Sequence, residues 1–427
     1  MSASRLTNGM VEALSKIAGI QLKLFFYCCL LGSLVACGGD DGGGQAAPVL
    51  GAGPASCVAG SADGYPCNNV RLAKHITLAA LGGSSANDIW GWTDPLDNTE
   101  YALIGVNNGT VFVDISDPDN PIVIGRLPKP TEANSSGSRD IKVYVNYAFI
   151  VADNAGTHGM QVFDLTRLRT GGTDQTFAAD VVYGDFESAH NIAIDEVSGY
   201  AYIVGSKTCS GDLGGLHIVD ISEPLNPMYA GCHTVDGNTH DSQCVTYTGP
   251  DPDYSGAEIC FNSNGYSSVA IVDVSIKSSP NTLSLVSYPL LGFTHQAWLD
   301  DTQRYLVVDD EFDEQIFGEH TSTIVIDVTD LDAPEHLYTY QNSTHSTDHN
   351  LFVSGNHIYQ ANYTSGLRIL EFSSLATDTL TEVGFFDTYP ESNSHAFRGA
   401  WGVYPFFASG TIVVSDTERG LYVLIPD

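Results

Sequence analysis

Four histidines recur along the chain at nearly constant intervals, and their type and spacing could carry chemistry. They are His190, His240, His295 and His349, which are separated by 50, 55 and 54 residues. Neutral imidazole is a common ligand of transition metals. If a repeated structure places the four rings side by side, they could hold such an ion.

Three aspartates stand in the neighbouring register of equivalent segments: Asp88, Asp140 and Asp241. They could orient imidazoles through hydrogen bonds or bind the ion themselves. The alternative is structural, because each histidine could fasten its own unit by hydrogen bonding to a nearby turn or strand. Both interpretations of the histidines stay open at this point.

An acidic segment between two strand-like runs is a candidate calcium site. It contains Asp309, Asp310, Glu311 and Asp313, with Glu314 directly after them. Clustered carboxylate oxygens are the ligands that Ca²⁺ prefers, although such a loop in an acidic protein could simply be solvated.

A second segment matches the first half of a calcium-binding loop. Asp251, Asp253 and Ser255 have the required spacing, and Glu258 follows. In a complete EF-hand loop the twelfth position is Glu, whereas here it is Asn262. Calcium binding and an ordinary polar loop are therefore both compatible with this segment.

Motifs for nucleophilic catalysis are absent from the sequence. It contains no Gly-x-Ser-x-Gly, no His-Glu-x-x-His and no glycine-rich phosphate loop with lysine. An enzyme is not excluded, since single residues from different repeat units can build an active site. Aromatic residues such as Trp401, Tyr404, Phe406 and Phe407 are expected to fill space between units rather than to bind sugar.

The element that must position the histidines is a repeated strand. Seven similar runs, most of them ending in letters such as Asp-Ile-Ser, begin at Val111, Met160, Leu216, Val269, Thr323, Leu367 and Leu421. A period of roughly 50 residues is typical of a β-propeller, because one unit cannot bury its apolar face without its neighbours. The sequence therefore predicts an all-β, seven-bladed β-propeller of four-stranded antiparallel blades.

The last unit stops at Asp427, directly after its third strand. A strand-like run from His75 to Leu81 precedes the first unit and has no blade of its own. We expect this N-terminal strand to complete the seventh blade and close the ring, which leaves no open sheet edge.

The N-terminal segment reads as an export signal. Arg5, Lys16 and Lys23 precede an apolar run that is short for a membrane span and ends at Ala36-Cys37, before a glycine-rich stretch. This resembles a bacterial lipoprotein signal in which Cys37 carries the lipid, and the alternative is an ordinary signal peptide with a chance cysteine. We expect a signal peptide at 1–36, a tether with a cysteine-containing segment at 37–69 and the propeller at 70–427.

Charge and cysteine content fit an exported protein. The net charge of −34 argues against nucleic acid as a partner, since phosphate neutralisation needs Lys and Arg. Six cysteines lie beyond residue 37. An even number favours disulfides, and although 15 pairings are formally possible, proximity in sequence suggests Cys57–Cys67, Cys209–Cys232 and Cys244–Cys260.

The chain resembles the choice-of-anchor B proteins, which are built from LVIVD-type repeats and occur on bacterial surfaces. The segments that carry the resemblance are residues 138–144, 158–165, 239–245, 294–299, 348–351, 362–370 and 399–407. The resemblance extends over 75–427 and implies a secreted propeller, anchored by one of several signals. It brings no established catalytic residues to this chain.

Two functions follow as expectations. The first is a binding or interaction module in the bacterial envelope, held at the outer membrane or cell surface by lipid at Cys37, with an extracellular protein or a glycan as ligand. The second is a metal-dependent hydrolase or lyase that uses His190, His240, His295 and His349 at the channel mouth. The sequence demands no cofactor, but a divalent metal, either calcium or a transition metal, could serve as one.

Overall fold

Seven β-sheets follow one another as the blades of a ring. The computed structural model describes residues 53–170, 172–209 and 214–427, so the predicted signal peptide and Cys37 lie outside the described residues. Contacts between the innermost strands of neighbouring blades run around the ring from the first blade to the seventh and back. The seven-bladed propeller predicted from the repeats is confirmed. Within the described residues, no helix is long and apolar enough to span a membrane.

Each blade has four antiparallel strands, which we number from the channel outward. The first strands are Ala86–Thr93, Arg139–Tyr144, Asn191–Asp195, Asp241–Thr246, Thr294–Leu299, Asn350–Ser354 and Ala400–Tyr404. The second strands are Glu100–Val106, Tyr147–Ala152, Tyr200–Val204, Glu258–Ser263, Tyr305–Asp310, His357–Ala361 and Ile412–Asp416. The third strands are Gly109–Asp114, Met160–Asp164, Leu216–Asp220, Val269–Asp273, Ser322–Asp327, Leu367–Glu371 and Gly420–Pro426. The fourth strands are Ile122–Pro128, Val181–Tyr183, Met228–His233, Asn281–Val286, Glu335–Gln341, Thr381–Phe386 and Val70–Thr77.

The N-terminal strand closes the ring as expected. Val70–Thr77 pairs antiparallel with Gly420–Pro426, from Val70 opposite Pro426 to Thr77 opposite Gly420. The strand begins earlier than the sequence suggested and ends at Thr77, whose hydroxyl accepts from the amide of Ala80 and starts a helical turn at Leu78–Leu81. This hydroxyl cap favours the turn over a longer strand.

The repeated Asp-x-Ser/Thr letters have a local physical cause. Asp114, Asp220 and Asp273 each accept a hydrogen bond from the backbone N–H two residues later, at 2.9, 3.0 and 2.9 Å. Such a side-chain turn ends the third strand and redirects the chain into the fourth. The pairing of the third with the fourth strand also shifts by one residue in six blades, for example between Phe112 and Val113.

The hydrophobic core is divided among the junctions between blades. Seven buried clusters occur in the described residues, and each combines side chains from two adjacent blades. At the junction of the first and second blades, for example, Phe112 stacks on Phe163 with ring centroids 4.8 Å apart. Each blade therefore depends on its neighbours for burial, which explains why the repeat runs around the whole ring.

Short elements and disulfides complete the described structure. The additional strands are Ser61–Ala62, Tyr65–Asn68 and Gln175–Thr176, and the helical turns besides Leu78–Leu81 are Leu165–Thr170, Pro252–Tyr254 and Asp313–Phe317. Tyr65–Asn68 pairs with the outer edge of the sixth blade. All three expected disulfides are present: Cys57–Cys67, Cys209–Cys232 and Cys244–Cys260.

Candidate metal centre

The four histidines lie side by side at one end of the channel. Ring centroids are 4.1 Å apart for His190 and His240, 4.6 Å for His240 and His295, and 4.3 Å for His295 and His349. Each residue stands within one position of the start of a first strand. Because every blade presents this position to the same axis, residues about 50 apart in the chain become neighbours. The structure thus brings together the four side chains that the sequence singled out.

A carboxylate joins the imidazoles. Glu311 Oε2 lies 4.0 Å from His295 Nε2, and Glu311 Oε1 lies 3.9 Å from His349 Nε2. One nitrogen of His240, one nitrogen of His295 and one oxygen of Glu311 lie within 4.8 Å of one another. Tyr363 donates its hydroxyl to Glu311 Oε1 at 3.2 Å. We call His190, His240, His295, His349 and Glu311 the histidine cluster.

Oxygen atoms stand behind three of the imidazoles. The pairs are His190 Nδ1 with Asp153 Oδ2 at 3.1 Å, His295 Nδ1 with Asp309 Oδ1 at 3.5 Å, and His349 Nδ1 with the Trp401 carbonyl at 2.5 Å. At His190 and His349 a hydrogen on Nδ1 that faces the acceptor fixes the tautomer and leaves Nε2 for a ligand, whereas Nδ1 of His295 has no hydrogen-bond partner among the described residues. The arrangement therefore directs ligand atoms toward the centre of the cluster.

Burial keeps most of these imidazoles neutral. Burial and the positive charge of neighbouring histidines lower the pKa of His240 and of His295 well below the usual value. Burial also lowers the pKa of His349, to about 3, against the opposing effect of the Trp401 carbonyl. A neutral imidazole is the form that binds metal, so protons compete little for these three residues.

His190 and Glu311 respond differently to burial. Burial lowers the pKa of His190, but the hydrogen bond and charge of Asp153 outweigh it, and the pKa rises above its usual value. Burial raises the pKa of Glu311 to about 8, although the Tyr363 hydroxyl favours the ionised form. A divalent cation between these groups would stabilise the neutral imidazole and the carboxylate together.

One pair of nitrogen atoms in the histidine cluster is spaced as two ligands of a single ion would be. Ligands about 2.0–2.2 Å from one metal lie roughly 3 to 4.3 Å from each other. His190 Nε2 and His240 Nε2 are 3.1 Å apart, within that range. Imidazoles with one carboxylate suit transition metals such as zinc or iron. A cavity of about 290 Å³, lined in part by His190, His240, Lys207 and Asn238, gives access to the cluster.

The three aspartates that the sequence suggested as further metal ligands, Asp88, Asp140 and Asp241, lie in contacts between blades. Asp140 accepts from the Ile192 amide of the next blade at 2.8 Å and pairs with Lys142 at 2.5 Å. Asp241 accepts from the Gln296 side chain at 3.1 Å. Burial and the charge of Asp140 raise the pKa of Asp88. The structure does not place these three aspartates among the groups of converging ligand atoms found in the described residues.

The side chains of the acidic segment 309–314 point in different directions. Asp309 and Glu311 face the imidazoles, whereas Asp310 binds the amides of Gly292 and Phe293 at 2.7 and 2.6 Å. Alternation of side chains along a strand explains why Asp309 and Asp310 point to opposite sides. The four predicted calcium ligands of this segment therefore do not converge on one point.

Asp313 and Glu314 gather instead with Asp348, which the sequence did not indicate. One oxygen from each lies within 4.8 Å of the others, and all three residues are buried. Burial and neighbouring carboxylates raise the pKa of Asp313 to about 7 and that of Glu314 to about 10. Burial and Glu314 raise the pKa of Asp348 as well.

The second predicted calcium loop is not assembled as a cation site. Asp251 accepts from the Asp253 amide at 3.1 Å, which starts a helical turn, and from the Leu331 amide at 2.9 Å. Glu258 lies in a second strand and pairs with Lys277. Ser255 ends the turn and is exposed. Among the residues described, these side chains form no group of converging oxygens.

Aromatic side chains line a cavity at the opposite end of the channel. It measures about 530 Å³, and its walls include Trp90, Trp298, Tyr404 and Phe406. Tyr404 lies in the first strand of the seventh blade and packs closely against the first strand of the first blade. This close contact is possible because residue 91 is glycine, where a Cβ would lie 2.1 Å from the Tyr404 ring. Tyr404 and Phe406 pack against the clusters between blades, as expected, and they are also partly exposed to this cavity. Trp90 and Trp298 were not singled out from the sequence.

The solved structures that resemble the protein are also propellers. The WD40 β-propeller domain of Doa1 aligns with a TM-score of 0.54 at 10% identity, over 85% of this chain and 98% of that one. The structure of U3-55K aligns with a TM-score of 0.52 at 9% identity, over 84% and 98%. At these identities the likeness concerns the fold alone. A comparison with curated proteins found no match.

Two segments of the chain match a known family model. The LVIVD repeat model matches residues 99–128 and 188–234, which correspond to strands two to four of the first blade and to the whole third blade. The protein is thus a seven-bladed β-propeller in which two blades match the LVIVD repeat. Both findings agree with its resemblance to the choice-of-anchor B proteins.

Proposed function

We propose that the protein is an exported binding propeller, held at the bacterial envelope, with one divalent transition-metal ion in its histidine cluster. The observation that carries the proposal is the convergence of four imidazoles and Glu311 from separate parts of the ring. A role as blade fasteners accounts less well for His190 and His240, whose Nε2 atoms face each other rather than the backbone.

Metal analysis tests this proposal directly. The full chain, purified without chelator, should contain about one transition-metal ion per molecule by elemental analysis. Replacing His240 and His295 together with alanine should remove that ion while the far-UV circular dichroism stays unchanged. A matched control is the pair His320→Ala and His345→Ala, because these rings are 3.9 Å apart but lie outside the cluster. Background metal in the parent, with lowered stability of the His240 and His295 variant, would show that the imidazoles are structural.

The aromatic cavity is where we would place the ligand of the binding module. Its size suits one or two sugar rings, and aromatic faces with nearby polar groups are a common way to bind them. A glycan is therefore the first ligand class to test. On a glycan array, Trp298→Ala should lose the signals of the parent, whereas the exposed Tyr266→Ala should retain them. Equal binding by both variants would argue for a protein ligand at another face.

Attachment through Cys37 belongs to the same proposal. Three disulfides suit an oxidising compartment, which supports export. The expected mature chain begins at a lipid-modified Cys37 and partitions into detergent. A Cys37→Ala variant should be recovered in the aqueous phase. Continued partitioning of this variant with membranes would contradict lipid attachment.

A metal-dependent hydrolase or lyase is the second candidate function. The observation that favours it is the cavity at His190 and His240, since catalytic metal sites keep one side open to substrate. Turnover of a polysaccharide or ester that is lost both on chelation and in His240→Ala would identify an enzyme. Binding without turnover would support the module.

A further inference from the structure

A buried carboxylate group lies outside the histidine cluster. The helical turn Asp313–Phe317 of the fifth blade contributes Asp313 and Glu314, and the segment before the first strand of the sixth blade contributes Asp348. Their exposed fractions are 4%, 2% and 0%. We call these three residues the carboxylate triad, and it joins two blades.

The carboxylate triad has no positive side chain to balance its charge. Among the residues described, none of the ion pairs joins Asp313, Glu314 or Asp348 to lysine, arginine or histidine. Buried carboxylates at this separation must either take up protons or share a cation. Which of the two occurs depends on whether their oxygens have other partners.

Two oxygens of the triad lack a hydrogen-bond donor. Asp313 Oδ1 and Glu314 Oε2 are buried and have no hydrogen-bond partner among the described residues. Three of the other four oxygens accept from backbone amides. Asp348 accepts from the amides of Asp310 and Ser322 at 3.1 Å each, and Glu314 Oε1 accepts from the Asp348 amide at 3.3 Å. The side chains are thus held in place while ligand atoms remain available.

The donor set selects the kind of cation. It consists of carboxylate oxygens alone, whereas the histidine cluster supplies nitrogens. Calcium takes oxygen ligands at 2.3–2.6 Å, so two ligands of one ion can lie as much as about 5 Å apart. A cavity of about 360 Å³ borders Asp313 and Ser322 and provides an entry path and room for water ligands. Magnesium would require a tighter octahedron.

We propose that Asp313, Glu314 and Asp348 bind one calcium ion, which ties the helical turn of the fifth blade to the sixth blade. This site is separate from the proposed transition-metal centre and does not depend on it. Its contribution is structural, because the ion would neutralise buried charge at the junction of two blades.

Calorimetric titration of the full chain with CaCl₂, after EDTA treatment and dialysis, tests the proposal. We expect one calcium ion per chain, a raised melting temperature with calcium, and weaker binding of magnesium. Glu314→Gln and Asp348→Asn keep the side-chain shape and should weaken calcium binding at least tenfold. Asp253→Asn, in the other acidic loop, and His295→Ala, in the histidine cluster, should leave calcium affinity unchanged.

Several results would overturn the calcium site. The parent chain could bind no calcium and gain no thermal stability from it, in which case the triad shares protons. Magnesium could bind as tightly as calcium, or His295→Ala could abolish calcium binding. If Glu314→Gln fails to fold, the titration and melting curves of the parent decide the matter alone. A parent chain that binds calcium but contains no transition metal would contradict only the proposed function.

Discussion

The Nε2 atoms of His190 and His240 lie 3.1 Å apart, although the two residues belong to different blades. Two nitrogen lone pairs cannot face each other at that distance without a proton or a cation between them. The raised pKa of His190, which its pair with Asp153 brings about against the effect of burial, allows His190 to donate to neutral His240. A metal ion would replace that proton and bind both nitrogens.

Asp153 should support the metal affinity of His190. In Asp153→Asn the carboxylate behind Nδ1 loses its charge but keeps its shape. Outer partners of metal-binding histidines are typically worth ten- to a hundredfold in affinity, so we expect a loss of that size with little change in melting temperature. Competition with a coloured chelator measures it. The control is Asp174→Asn, which changes an exposed carboxylate outside the histidine cluster. Equal metal affinities in the two variants would contradict the prediction.

Gln296 should stabilise the ring without affecting the metal. Its side chain donates to Asp241 at 3.1 Å and accepts from the Leu351 amide at 2.6 Å, which links three blades. Gln296→Ala leaves both buried partners unsatisfied and should lower the free energy of unfolding by about 1–3 kcal/mol. Denaturant unfolding measures the change. The exposed Gln341→Ala should cost less than about 0.5 kcal/mol. If Gln296→Ala lost its metal but kept the stability of the parent, Gln296 would belong to the metal site and not to the contacts that stabilise the ring.

The N-terminal strand should be needed for stability. Deleting residues 1–82 removes the fourth strand of the seventh blade and exposes the edge of Gly420–Pro426. We expect a lower melting temperature and earlier aggregation on heating, followed by light scattering. A chain that begins at residue 70 lacks the paired strands Ser61–Ala62 and Tyr65–Asn68 but keeps Val70–Thr77. Its melting temperature should be closer to that of the parent. Equal melting temperatures of the two truncated chains would show that the pairing of Val70–Thr77 with Gly420–Pro426 does not limit the stability of the ring.

His158 should make stability depend on pH. Its Nε2 accepts from Arg139 at 2.7 Å and its Nδ1 donates to the Gly159 carbonyl at 2.9 Å. Burial, together with the charges of Arg139 and Lys129, lowers the pKa of His158 from 6.5 to about 4. The unfolded chain therefore binds the proton more readily than the folded chain between these two values.

Stability from His158 is consequently complete above pH 6.5 and is lost as pH falls toward 4. The full difference is about 3 kcal/mol. In His158→Gln the free energy of unfolding should fall less steeply across this range than in the parent. Denaturant titrations at pH 7, 5.5 and 4.5 measure both slopes. Parallel slopes would mean that folding does not lower the pKa of His158.

The amino-acid sequence alone determined the repeated architecture. The recurring Asp-x-Ser/Thr turns and strand patterns are local features, and a local interaction can be recognised from a few residues. Equivalent positions in a ring must also face one axis, so the convergence of His190, His240, His295 and His349 followed from their spacing. The disulfide pairs followed from proximity along the chain.

Only the tertiary structure decided which other groups meet these residues. Glu311 reaches the imidazoles while Asp313 turns away to Asp348, because side-chain direction depends on strand alternation and on where the strand ends. Alternation between Asp309 and Asp310 was a signal that could have separated the two groups in advance. Asp348 could not have been found in this way, since contacts between blades depend on packing across residues far apart in the chain, and no local pattern encodes them.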